Sequence, residues 1–262
     1  MTEINDELKL QENYIYSKSG FYEEYGSILG SYQVKSCLEY MHGTSLLDLA
    51  CGDGLLTEQF KQHFSRVVGV DASSKHLEKA RNRNEEIEFF NCLIEDFEID
   101  EKFDNVTLIN ILEHVRDPIS LLKKSADFLN DNGVLIVHVP NAHAINRRIA
   151  VIMGTLKSCK ELSPFDKKIV GHRCSYTRKS LEEEIKMSGL KIVATGGIFF
   201  KMLSTPQMDW FLKNGLWEDG GFGWGRVGAN KKNWKTEFCR ACYEIGKEYP
   251  DDCNIIFAVI KK

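Results

Sequence analysis

The stretch Ser45-Leu46-Leu47-Asp48-Leu49-Ala50-Cys51-Gly52-Asp53-Gly54-Leu55-Leu56-Thr57 decides how the chain is read. Leu46 to Ala50 is a short apolar run broken only by Asp48. Gly52 and Gly54 follow at once, then a helical spacing through Phe60 and Phe64, so the stretch predicts a buried strand, a tight turn and a helix. Two glycines let the backbone turn without a Cβ penalty and lie against a ligand, while the free N–H groups of the helix start point into the same space. The spacing then separates ligands. A dinucleotide fingerprint asks for a third glycine where Thr57 stands, so a pyrophosphate is not indicated. About 20 residues past Gly52 a second apolar strand, Arg66-Val67-Val68-Gly69-Val70, ends on Asp71, whose carboxylate can accept both hydroxyls of a ribose. Adenosine without a pyrophosphate is the expected ligand.

Further along, Asp71-Ala72 closes the second strand, Glu95-Asp96-Phe97 follows a third, and Phe103-Asp104 leads through a fourth to Asn110-Ile111-Leu112-Glu113-His114-Val115. Together with the glycine stretch, this order resembles a class I S-adenosylmethionine-dependent methyltransferase over roughly residues 44 to 140. The resemblance implies an α/β fold: a Rossmann-like, seven-stranded, mostly parallel sheet with helices on both faces. It implies S-adenosyl-L-methionine as cofactor and S-adenosyl-L-homocysteine as product. It places Asp48, Ala50, Gly52, Gly54, Asp71, Ala72, Ile94, Glu95 and Asn110 around that cofactor. Asp71 would hold the ribose, the Ile94 backbone and the Glu95 carboxylate the adenine, and the Asn110 backbone the methionine portion. One departure is Ala50, which stands where the family has its first glycine.

Composition agrees with a soluble enzyme: 262 residues, 43% hydrophobic, 27% charged, net charge −4. That balance offers no sequence-independent attraction for nucleic acid, and no block of like charge marks a membrane or DNA tail. The first residues lack the basic-then-apolar order of a signal peptide, and no apolar run approaches the ~20 residues of a membrane span, so a cytoplasmic location is expected. In that setting the eight cysteines are expected as reduced thiols. Cys239 and Cys242 have ligand spacing, but no second such pair accompanies them and two cysteines three apart also share one face of an ordinary helix, so no metal is expected.

In chain order, residues 1–43 read as an N-terminal helical arm rich in tyrosine. By the resemblance Tyr14, Tyr22 and Tyr25 are lid residues over the cofactor; equally, they are aromatics packed on the sheet edge. Residues 44–262 form the main domain, with substrate-side insertions at about 141–176 and 201–250. Helices are expected to His63, from Ser73 or Ser74 to Arg83, from Asp117-Pro118 to Asn132-Gly133, and from Thr177 to Gly189, alternating with strands that include Val134–Val139, Leu190–Phe200 and Asn254–Ile260. The four tryptophans between 201 and 250 surround a glycine run at 220–225, which reads either as a pocket-walling loop or as an ordinary turn.

The first insertion is long for a plain loop. It brings Arg147, Arg148, Lys167, Lys168 and Arg173 together with His143 and His172, a charge pattern suited to an anionic acceptor such as a phosphorylated or nucleotide-linked sugar, unless these cations are simply a solvated face. Asn141, Gly171-His172 and Tyr176-Thr177 resemble the block found in small-molecule methyltransferases of bacterial polysaccharide and natural-product pathways. Asn141, Arg147, Arg148, Arg173 and Tyr176 are therefore the expected substrate residues. Transfer to oxygen needs a base, and a histidine is suited to it: His172 first, then His143, then His114, each with a purely structural role as the alternative. Two other functions stay open: an NAD-dependent sugar oxidoreductase or epimerase, for which Tyr176-Thr177-Arg178-Lys179 is one residue short of the required spacing, and a non-catalytic cofactor-binding module.

Overall fold

A computed structural model describes residues 23–215, 217 and 233–262. Seven strands form one sheet in the order β3-β2-β1-β4-β5-β7-β6. The strands are β1 (Ser45–Leu49), β2 (Arg66–Asp71), β3 (Glu88–Asn91), β4 (Phe103–Ile109), β5 (Leu129–Pro140), β6 (Lys191–Ile198) and β7 (Ile255–Lys261). The first five are parallel, and β7 lies antiparallel between β5 and β6. The chain winds outward from β1 to β3, then returns to start β4 on the other side of β1. That reversal leaves a crevice beyond the carboxyl ends of β1 and β4, where ligands of such sheets bind.

Strand side chains alternate between two apolar layers. Leu47, Leu49, Val68, Val70, Val106 and Leu108 face one layer, closed by α4 (Pro118–Asp127) through Leu121 and Leu122 and by α6 (Arg178–Met187) through Leu181 and Ile185. Leu46, Val67 and Ile136 face the other, closed by α1 (Glu23–Leu38), α2 (Leu55–Lys61), α7 (Thr205–Asn214) and α8 (Trp234–Glu248). Burying each such side chain stabilises the fold by about 1.5–3 kcal/mol. The helix starts are capped where the residue types ask for it. Ser73 accepts from the His76 N–H at the head of α3 (Ser74–Arg83), Asp117 from Ser120 with Pro118 in the first turn of α4, and Thr177 forms a reciprocal box with Ser180 at α6.

Two boundaries differ from the sequence expectation. The helix begun at Pro118 ends at Asp127, and Asn132-Gly133 lies inside β5, which starts at Leu129 because Phe103 pairs with Leu129 before the register shifts to Asn105 opposite Val134. Within the first insertion, α5 (Ile145–Ile152) buries no residue fully and leaves Ile152 87% exposed, so its apolar spacing does not mark a core face. Cys239 and Cys242 sit one turn apart on α8 and pack into the second layer. Tyr14, Tyr22 and the glycine run at 220–225 lie outside the described residues.

Candidate functional site

The glycine loop leaves β1 through three left-handed residues, Ala50 (φ 61°), Gly52 (φ 58°) and Gly54 (φ 76°). A Cβ at Gly54 would stand 2.8 Å from the Ala80 Cβ, so α3 packs tightly there, whereas a Cβ at Gly52 would meet nothing within 4 Å. Gly52 thus borders open space on the side where a ligand can approach the backbone. Asp71 draws the end of β2 to this loop: one carboxylate oxygen accepts from the Gly52 N–H at 2.9 Å and the other from the Ser73 N–H at 2.9 Å, with the His76 ring 3.5 Å away. Beneath the loop, Asp48 is buried and accepts from the hydroxyls of Thr57 and Thr107, both at 2.7 Å. Burial raises its carboxyl to about 6 against the pull of those two donors. Ala72 is held from the side by Asn91, Ile94 is buried at the start of a single 3-10 turn, and Glu95 next to it is exposed. All of these sit along the carboxyl edge of β1 to β3.

At the end of β4, Asn110 is left-handed (φ 55°) and donates its N–H to the His138 carbonyl. Its side chain meets Gln33 of α1, which also contacts the buried His138 ring at 3.3 Å, so the arm is tied to the loop that follows β4.

Beyond Asn110 the first insertion folds back on this loop. The Arg173 N–H donates to the Glu113 carbonyl at 2.8 Å, and His172, following the left-handed Gly171, is set beside His114 with ring centroids 5.0 Å apart at 82°. Glu113 is 1% exposed, and both its carboxylate oxygens lack a hydrogen-bond partner among the described residues. One of them stands 4.0 Å from His114 Nε2 and 3.9 Å from His172 Nε2, while His172 Nδ1 is 3.9 Å from Asp166. Burial pushes the Glu113 carboxyl up to about 8. Burial also holds His114 down at about 3, with His172 acting in the same direction, and His172 down at about 4 despite Asp166. Near neutrality the cluster therefore holds neutral imidazoles around a carboxyl that keeps its proton. Its three donor atoms lie within 4.8 Å of one another, a spacing that a divalent cation also fits.

The other sequence-derived residues are placed differently. Arg147 is engaged on three sides, by Asp166 at 3.0 Å and by the carbonyls of Cys159 and Glu161. Arg148 pairs with Asp252 at 2.5 Å on the surface, and exposed His143 lines the same shallow depression as Arg148, Asp251 and Asp252. Asn141 donates to the carbonyls of Asp251 and Cys253, and the buried Tyr176 donates its hydroxyl to Glu184. Lys167 and Lys168 are exposed. Glu113, Asp166 and Gln33 join the site only in the folded chain. Glu113 alone had a signal, its place beside His114 after an apolar strand; the other two are brought in by long-range folding.

A methyltransferase domain family model matches residues 31–195, more than half of the chain. The ubiquinone biosynthesis O-methyltransferase of Actinobacillus pleuropneumoniae serotype 5b (strain L20) is 34% identical over 124 residues, covering 44% of this chain and 53% of that protein. The protein of the same name from Coxiella burnetii (strain RSA 331 / Henzerling II) is 28% identical over 169 residues, 62% of this chain and 70% of that one. The chain spans about half the length of the first curated relatives it matches. Among solved structures, a SAM-dependent methyltransferase of Thermotoga maritima superposes with a TM-score of 0.56 at 15% identity, covering 91% of this chain and 93% of that one. The plantazolicin methyltransferase BpumL, crystallised with SAH, superposes with a TM-score of 0.55 at 16% identity over 100% and 92%. The sheet order, the glycine loop at its switch point and the match over residues 31–195 agree, and the chain belongs to the methyltransferase domain family.

Proposed function

We propose that this protein transfers a methyl group from S-adenosyl-L-methionine to oxygen on a small, anionic acceptor, with a phosphorylated or nucleotide-linked sugar as the acceptor type and polysaccharide biosynthesis as the setting. The observation that carries the reading is the joining of two half-sites on one sheet edge. The Gly52–Asp71 loop follows β1 with open space at Gly52, and the Glu113–His114–His172 cluster is built from the loop that follows the neighbouring parallel strand β4. The names of the ubiquinone relatives support a small-molecule acceptor methylated on oxygen. Free thiols at all eight cysteines, and among the described residues no helix long and apolar enough to cross a membrane, support a cytoplasmic location.

The cofactor, when bound, supplies both the methyl carbon and its sulfonium leaving group. What the chain must add is position and a proton acceptor. Asp71 and Glu95 take the ribose and adenine, with Asp48, Ala50, Gly54, Ala72 and Ile94 shaping the surrounding walls, and the Asn110 backbone takes the methionine end. His172, beside Asp166 and the protonated Glu113 carboxyl, is the base for the acceptor hydroxyl. His114 buttresses His172 in this reading. Asn141, Arg148 and Tyr176 are bonded elsewhere in the fold, His143 is exposed beside Arg148, and Arg173 contributes by pinning the insertion to the loop after β4.

The donor spacing at Glu113, His114 and His172 favours one second reading, in which a divalent cation there activates the acceptor hydroxyl directly. A labelled-methyl assay over phosphorylated sugars, nucleotide sugars and phenols, run with chelator and with added magnesium, tests both. Transfer that survives chelation and falls at least tenfold in His172→Ala supports the base, and transfer restored only by magnesium supports the cation. Calorimetry in which NAD binds and S-adenosylhomocysteine does not would overturn the whole reading in favour of an oxidoreductase. Cofactor binding with no transfer to any acceptor would favour a binding module.

A further inference from the structure

Lys201 is only 3% exposed. It follows β6 by three residues, and because β6 and β5 both run antiparallel to β7, its strand ends on the same sheet edge as β1, β4 and β5. The register makes this concrete: Pro140 and Ile198 both lie opposite Ile255. Between β6 and Lys201 the chain passes through Phe199, a left-handed residue (φ 66°) whose bulky side chain is fully buried. A non-glycine residue held there is strained, and such strain persists where the surroundings demand a particular chain direction. Here it turns Lys201 inward instead of letting the strand run out to solvent.

The ammonium at the end of this side chain is incompletely served. One N–H donates to Thr205 Oγ1 at 2.8 Å, and the Tyr25 ring of α1 lies 4.7 Å away. Among the described residues no carboxylate comes within ion-pair distance of it. The charges that act on it are Asp166 and Arg147 of the insertion. Tyr25 is 1% exposed, and its hydroxyl also lacks a hydrogen-bond partner among the described residues. A buried ammonium with donors to spare, next to an unpartnered buried hydroxyl, is a costly arrangement unless a ligand completes it. Burial already lowers the lysine to about 7. Arg147, one of the three arginines expected from the sequence to take the acceptor's charge, is engaged by Asp166 and two carbonyls.

We propose that Lys201, with the Tyr25 hydroxyl, is the subsite that receives the anionic group of the methyl acceptor, either a carboxylate or a phosphate monoester. This rests on the reading of the site as that of a small-molecule methyltransferase. Opposite charge gives the ligand a charge-assisted hydrogen bond, and the Tyr25 and Phe199 rings, 5.6 Å apart, give it an apolar wall. The methyl-accepting hydroxyl then reaches back toward His172 while its charged end is held at the arm.

The test is calorimetry on the full chain with three probes: S-adenosylhomocysteine, benzoate and inorganic phosphate, the two anions titrated into protein already saturated with the first. Binding of benzoate or phosphate is expected, weakened about ten- to hundredfold in Lys201→Met and several-fold in Tyr25→Phe, with S-adenosylhomocysteine affinity unchanged in both variants. Benzoate alone assigns the carboxylate, phosphate alone the phosphoryl group. Neither anion binding, or equal binding by Lys201→Met, overturns the subsite while leaving the cofactor reading intact. Failure of S-adenosylhomocysteine itself to bind overturns the underlying reading instead. Lys201→Met places an apolar chain of similar length in an apolar setting, and thermal unfolding checks that it folds. If it does not, Lys201→Gln is read in the same titration.

Discussion

At the scale of single residues, Asp71 and Ala50 carry separable consequences. Asp71 serves the loop through Gly52 and Ser73, and each of its oxygens keeps a lone pair for a ribose hydroxyl. Asp71→Ala is therefore expected to weaken S-adenosylhomocysteine binding by about 1–3 kcal/mol, read by calorimetry. Unchanged affinity would remove Asp71 from the cofactor site. Ala50 presents the opposite case. It stands where the resemblance calls for glycine and yet adopts φ 61°. An L-residue in that region is strained by about 1–2 kcal/mol, partly offset by the greater chain entropy that glycine brings to the unfolded state. Ala50→Gly should accordingly stabilise the protein by roughly 0.5–1 kcal/mol in urea unfolding. A loss of stability would mean that the Ala50 methyl is packed more tightly than its partial exposure implies.

At the scale of elements, the insertion between β5 and α6 is held by few but specific bonds. Its far end is the Arg147–Asp166 pair, with side chains 15% and 12% exposed, and its return is anchored at the Thr177 cap of α6 and at the Glu113 carbonyl. Arg147→Met removes the guanidinium but keeps Asp166 part-buried without its partner, which should loosen residues 154–170 without unfolding the sheet. Limited proteolysis is expected to cut there several-fold faster, with methyl transfer falling while S-adenosylhomocysteine affinity is kept. Cleavage at the wild-type rate would show that the ion pair does not hold the segment. The cap is a milder case: Thr177→Ala should cost about 0.5–2 kcal/mol in global stability.

At the scale of the whole molecule, the buried cluster sets the pH dependence of stability. Glu113 is raised from 4.5 to about 8, so the folded state holds a proton that the unfolded chain releases. Its contribution is complete below about 4.5 and is lost as pH rises through 8. His114 and His172 work in the other direction. Lowered from 6.5 to about 3 and about 4, they withdraw stability as pH falls below 6.5. Glu113→Gln, compared with the natural chain by urea unfolding in the presence of chelator, should gain about 1–3 kcal/mol at pH 8, a difference that shrinks toward pH 5. A parallel pair of stability curves would show that Glu113 is ionised throughout. A surface concavity lined by Glu58, His63 and Ser65 lies beside the start of β2, away from this cluster.

What the sequence determined by itself is everything written in short-range periodicity: the buried strands, the glycine turn, the acid closing β2, the caps at Ser73, Asp117 and Thr177, and hence the sheet and the loop that we assign to the cofactor. These follow from backbone preference and from the burial of alternate side chains, which neighbouring residues specify among themselves. The placement that we propose for the acceptor rests on the tertiary structure alone. Arg147 and Lys201 are both cations, but one meets Asp166 and two carbonyls while the other is buried against Tyr25. His143 and His172 flank the same insertion, yet only His172 reaches Glu113. Which charge stays unspent depends on partners distant in the chain, from Tyr25 to Thr205, and composition is blind to that because electrostatic pairing is settled by distance and burial after the chain has folded.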